Sequence, residues 1–137
     1  MTRSLLGGAA YFLIVFACAF ALGAVRVSFV APAMGAFWAT ALEAPFTLAI
    51  SWIACDWVSR RMGAPSLGNA IGMGATAFVL LMGAEAAGAI LLFDRTLGEF
   101  VNSYRTPAGA LGLAGQIAFA LFPIFQYQRA ANTAPLG

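Results

Sequence analysis

The sequence has no histidine and no lysine, only two cysteines, and five acids in 137 residues. Each shortage closes a route. Without histidine the commonest metal and haem ligand is missing, and so is the commonest general base. Cys18 and Cys55 sit far apart in apolar runs and form no Cys-x-x-Cys pair, so they read as small, inert core residues. No metal site and no cofactor are expected. A scattered net charge of +2 gives no nucleic-acid surface. Charged residues make up 9% of the chain and hydrophobic ones 62%. A soluble domain carries about 25% and about 45–50%, so this chain lacks the polar residues to coat a water-facing globule.

What the sequence does have is long apolar runs. Residues 5–25 carry no charge. That run exceeds the ~7–15 residues of a cleavable signal core and is followed by more spans, so it reads as a first transmembrane helix. If this helix continues past Arg26 to Val30, the arginine lies inside the membrane, roughly 6 Å deep. Pro32 and Gly35 punctuate a tight connection. A second helix is expected over residues 36–58, with Trp38 and Trp57 near its ends as in interfacial belts. After a loop of Arg60-Arg61 and Gly63-Ala64-Pro65-Ser66, a glycine-rich third helix covers residues 67–93. Its Ala84-x-x-x-Gly88 pair would let a neighbouring helix approach. Thr96-Leu97-Gly98-Glu99 fits a capping box that starts a short helix, too short to span and expected along the membrane surface. Thr106-Pro107 then opens a fourth long helix over residues 107–127, with Pro123 bending its far end.

The fold class expected is therefore all-α integral membrane protein: four transmembrane helices in an antiparallel bundle, with a short interfacial helix between helices 3 and 4. It forms one domain over residues 1–129, with a flexible tail over 130–137. Four spans put both termini on one side. Arg3, Arg60, Arg61 and Arg129 fall there, against Arg26, Arg95 and Arg105 opposite, which favours cytoplasmic termini. Arginine in place of lysine, with abundant Ala and Gly, is associated with GC-rich bacterial genomes, hence a bacterial inner membrane.

The chemistry rests on the few polar groups inside these helices. Glu43 stands almost beside a helix breaker in Glu43-Ala44-Pro45, and Pro45 is expected to kink the helix or free a carbonyl near residue 41. Glu43, Thr47, Ser51 and Cys55 recur every fourth residue, a polar stripe that should face protein rather than lipid. At 1.5 Å per residue, Glu43 and Glu85 each lie roughly 12 Å from the same end, and Gln116 roughly 13 Å. All four helices thus offer a polar group in the same half of the bilayer. A lone mid-membrane acid or arginine costs about 2.5–3.5 kcal/mol on insertion scales. Two acids sharing Arg26 would offset much of that, with a proton answering the leftover negative charge.

The site expected is therefore Glu43, Glu85, Arg26 and Gln116, taking a proton, a cation or a substrate. The competing reading makes the same network internal glue that fixes helix register. Three classes follow: a proton- or cation-linked carrier working as an oligomer, an accessory or assembly subunit of a larger membrane complex, and, last, a lipid-modifying enzyme, for which no catalytic motif is present. Partners are membrane lipid and either further copies or companion subunits. In size the chain resembles the small multidrug resistance carriers, four-helix proteins that dimerise around an essential glutamate. The resemblance covers helix count and length only. That family's glutamate lies in helix 1, where this sequence has none, so no residue is carried over.

Overall fold

The computed structural model describes residues 1–62 and 66–134, and every element in it is helical. Four helices are long and apolar enough to cross a membrane: Thr2–Met34, Ala36–Met62, Leu67–Phe93 and Pro107–Thr133. The first is composite. It joins α1 (Thr2–Val25), a π-helical turn (Arg26–Val30) and α2 (Ala31–Met34). The others are α3 (Ala36–Met62), α4 (Leu67–Phe93), the short α5 (Leu97–Ser103) and α6 (Pro107–Thr133).

The first helix runs further than its sequence suggests. Pro32 does not end it, because it falls in the first turn of α2, just past the widened turn, where a missing N–H and a bulky ring are accommodated. The break comes at Gly35 alone, whose φ of 86° suits glycine and few other residues. Two other ends also extend, α3 to Met62 and α6 to Thr133. Residues 130–133, expected in the tail, are therefore helical. The loop residues 63–65 and the last three residues, 135–137, lie outside the described residues.

Local chemistry explains the remaining boundaries. The Ser66 hydroxyl accepts from the Asn69 N–H at 3.1 Å and starts α4, which ends at Asp94 with a left-handed φ of 56°. Both halves of the capping box at Thr96 and Glu99 are formed. Thr106 caps α6 by accepting from Gly109 N–H at 3.0 Å. A Cβ on Gly109 would run into the Ser103 carbonyl oxygen, so the tight turn from α5 into α6 requires glycine.

In the bundle, α1 packs on α3 and α4, and α6 packs on the same two, while α3 and α4 share no broad face. Ser4 bonds Asn69 and Gly8 meets Thr76, so α1 and α4 lie side by side in the same direction. Gly7 meets Met62 and Arg26 meets Glu43, so α1 and α3 run oppositely. The packing is thus not a simple ring of sequence neighbours. Arg3, Met62, Asn69 and Tyr127 line one cavity of about 70 Å³, which places both chain ends at one end of the bundle, the terminal end. Gly35 marks the other.

The core occupies the terminal half: Tyr11, Phe12, Val15, Ala54, Cys55, Val58, Met73, Ala77, Leu81 and Phe119. At its centre Pro123 leaves the Phe119 carbonyl without its helical donor. The Tyr11 hydroxyl, fully buried, donates to that carbonyl at 2.9 Å from across the bundle. The two rings stack at 4.3 Å. A backbone group freed by a proline thus becomes the attachment point between α1 and α6.

Candidate functional site

Arg26 opens the π-helical turn, and because the helix continues to Met34 it lies eight residues in, roughly 12 Å from the Gly35 end. That is deeper than the 6 Å expected, and it matches Glu43 in level. Arg26 Nε donates to Glu43 Oε2 at 2.6 Å, with side chains 31% and 19% exposed. Pro45 sits exposed two residues on, within a helix that stays unbroken from Ala36 to Met62. The polar stripe below Glu43 does face protein. Ser51 and Cys55 are buried, and the Ser51 hydroxyl donates to the Thr47 carbonyl at 2.7 Å.

Glu85 forms a second group. Gln116 Nε2 donates to Glu85 Oε2 at 2.6 Å, and the Tyr104 hydroxyl reaches the same oxygen at 3.4 Å and the Met82 sulfur at 3.7 Å. Among the described residues no hydrogen bond or ion pair joins the two groups. The four expected residues are therefore assembled as two pairs, Arg26 with Glu43 and Gln116 with Glu85. The charges do not divide evenly. Glu43 holds the guanidinium, and among the described residues Glu85 is met only by neutral donors, both on Oε2.

Three polar side-chain atoms are buried without a partner among the described residues, and two of them, Gln116 Oε1 and Thr47 Oγ1, belong to the expected site and its polar stripe. Tyr104, outside the long helices, is held as a donor. Burial, with the Glu85 carboxylate beside it, pushes its phenol up to about 12. No group of three metal-ligating side chains exists among the described residues.

Tyr104 was not legible as a site residue. Its place over α4 depends on the path through Asp94, α5 and Gly109, and only the α5 cap is written locally. Gln126 was also missed. Its Nε2 donates to the Trp52 carbonyl at 2.8 Å, and its Oε1 is buried and unpartnered. Two cavities at the terminal end, of about 70 and 370 Å³, are lined by neither Glu43 nor Glu85. Comparison with protein families, with characterised proteins and with solved structures returns no match for this chain.

Proposed function

We propose that this is a multi-pass membrane protein that handles a proton or a small cation at Glu85. Glu43, Arg26 and Gln116 set the electrostatics around it. One observation carries the reading: among the described residues the direct partners of the mid-helix Glu85 carboxyl are all neutral, while Arg26 is bonded to Glu43. Such a group in low dielectric is completed by a proton or a cation. Gln116 and Tyr104 orient it by holding one oxygen, which leaves Oε1 to take the charge.

In this reading the four long helices cross the bilayer in alternating directions and α5 lies along its surface. The Gly35 end faces outward, and the termini lie on the cytoplasmic side of a bacterial inner membrane. The protein works as an oligomer, since four helices enclose only a narrow path. The test is flux in proteoliposomes under an imposed pH or cation gradient. Glu85→Gln should abolish flux while the protein stays folded, and Glu43→Gln should reduce it. Wild-type flux in Glu85→Gln would overturn the reading.

A second reading makes the chain an accessory subunit of a larger membrane complex. It is favoured by Gly83, Gly88, Gly112 and Gly115, where an added Cβ would meet nothing within 4 Å. Those bare backbone stretches would let a companion helix come close. Purification only together with other membrane subunits would select this reading.

A further inference from the structure

Glu43 and Glu85 differ in whether their partners can reverse. Arg26 carries N–H donors only, so its contact from Nε to Glu43 Oε2, at 2.6 Å, holds only while Glu43 is charged. The partners of Glu85 work both ways. Gln116 donates from Nε2 to Glu85 Oε2 at 2.6 Å, and the other end of the same amide, Oε1, is buried with no donor among the described residues. A half-turn of that amide puts an acceptor where the donor stood. The Tyr104 hydroxyl lies 3.4 Å from Glu85 Oε2 and 3.7 Å from the Met82 sulfur. It can give its hydrogen to the carboxylate, or turn it to the sulfur and accept from the acid. Glu85 itself is only part-buried. The charged groups at its level, Arg26 and Glu43, are bonded to each other, and Tyr104, its phenol pushed up to about 12, stays neutral.

We infer, on the reading of Glu85 as an ion site, that it takes a proton rather than a metal cation, with Gln116 and Tyr104 reversing their hydrogen bonds to hold the neutral acid. While Glu85 is charged, both neighbours donate to Oε2. Hydronium then delivers a proton to the open Oε1 and leaves as water. The carboxyl and the Gln116 amide each make a half-turn about a Cγ–Cδ bond. The new acid O–H donates to Gln116 Oε1, which gives that buried oxygen the partner it lacks. No other covalent bond forms or breaks, and release of the proton reverses both turns. A hard metal ion is met instead by about six oxygens with their lone pairs turned inward. Around Glu85 the described neighbours turn N–H and O–H hydrogens inward, and the Met82 sulfur is a soft thioether. Glu43, whose partner cannot reverse, stays charged throughout.

The test uses the full chain in proteoliposomes, read by infrared difference spectroscopy on acidification and by ion flux. Acidification should raise a protonated-carboxyl band that is absent in Glu85→Gln and unaffected by excess sodium, potassium or magnesium. Absence of that band, its suppression by one of those ions, or Glu85-dependent sodium or potassium flux without proton movement would overturn the proton assignment. The last two would leave the ion-site reading intact. Gln116→Met removes donor and acceptor at similar length and should move the band to the higher frequency of a more weakly hydrogen-bonded carboxyl. Tyr104→Phe should move it less in the same direction, in keeping with the longer contact. Gln116→Arg offers donors only and should erase the band. A band in its wild-type place in Gln116→Met, or at full size in folded Gln116→Arg, would overturn the reversal. A band that behaves as expected, with no flux of any ion, would uphold the proton site and overturn transport alone.

Discussion

Leaving aside Gly109 at the turn into α6, the two ends of this bundle use glycine for opposite purposes. At the terminal end glycine is required by contact. A Cβ on Gly8 would stand 2.6 Å from the Thr76 Cβ and 2.7 Å from the Met73 carbonyl oxygen, and one on Gly74 would run into the Ala120 carbonyl. Toward the Gly35 end, Gly83, Gly88, Gly112 and Gly115 would each tolerate a Cβ with nothing nearby. One half is held by backbone-to-backbone packing around Tyr11 and Phe119. The other is looser and is held by a few hydrogen bonds to carboxylates. The separation is physically sensible, because tight packing fixes the scaffold while a charged site needs room for a proton or an ion.

The sharpest way to break that comparison is to place the same side chain in both halves. Gly74→Val should destabilise at or above the top of the ~1–3 kcal/mol overpacking range, whereas Gly112→Val should stay within about 0.5 kcal/mol of wild type. Detergent unfolding curves would show it, and equal effects would dissolve the distinction. Next in size, Arg26→Gln strands the Glu43 carboxylate and should cost about 2.5 kcal/mol, most of it recovered in the Arg26→Gln/Glu43→Gln double variant. Glu85→Gln, beside neutral donors, should cost far less in the same unfolding assay.

A smaller effect tests the packed half. Tyr11→Phe keeps the ring stack but leaves the Phe119 carbonyl unpaired, a loss of about 1–2 kcal/mol. In a Pro123→Ala background residue 123 supplies its own N–H, so the same substitution should become nearly silent. A cost unchanged by that background would show that the proline and the tyrosine are not coupled.

The smallest effect concerns α5. Hydrogen bonds from the Thr96 backbone and hydroxyl hold the exposed Glu99 carboxyl below the usual carboxylate range. A lowered folded value means that the cap contributes above the unfolded value and is lost as pH falls through the folded one. Amide exchange at Glu99 and Phe100 should therefore show α5 loosening in acid while the terminal half keeps its protection. Thr96→Ala, removing about 1 kcal/mol of cap, should produce the same loosening at neutral pH.

Much of the frame was legible because its signals are local. The Thr96–Glu99 box and Thr106-Pro107 each announce a helix start within four residues, and α4 begins and ends where the sequence placed it. The shared level of Glu43, Glu85 and Gln116 followed from counting at a fixed rise. What failed was nonlocal or depended on an unusual turn. Pro32 looked like a breaker because a π-helical turn ahead of it cannot be foreseen from propensity. Within the chain the close approaches fall at Gly8 and Gly74, which no motif announced, whereas Gly88 of the Ala84/Gly88 pair meets nothing within 4 Å. Tyr11 and Pro123 were both visible, but nothing in either segment says that a hydroxyl 108 positions from Phe119 will claim its carbonyl.

The widened turn at Arg26–Val30 fixes a length. It holds one residue more than an ordinary helical turn, so deleting one of residues 27–30 would close it to α-helix with the flanking segments nearly in register, whereas adding one would turn Ala31–Met34 by about 100° relative to the helix below. Gly35 is the whole hinge between that segment and α3, so the swing would be passed directly to Glu43. A single-residue insertion there should therefore unseat the Arg26–Glu43 bridge even though both residues are kept, whereas a deletion among residues 27–30 or conservative exchanges at Val27 or Phe29 should not.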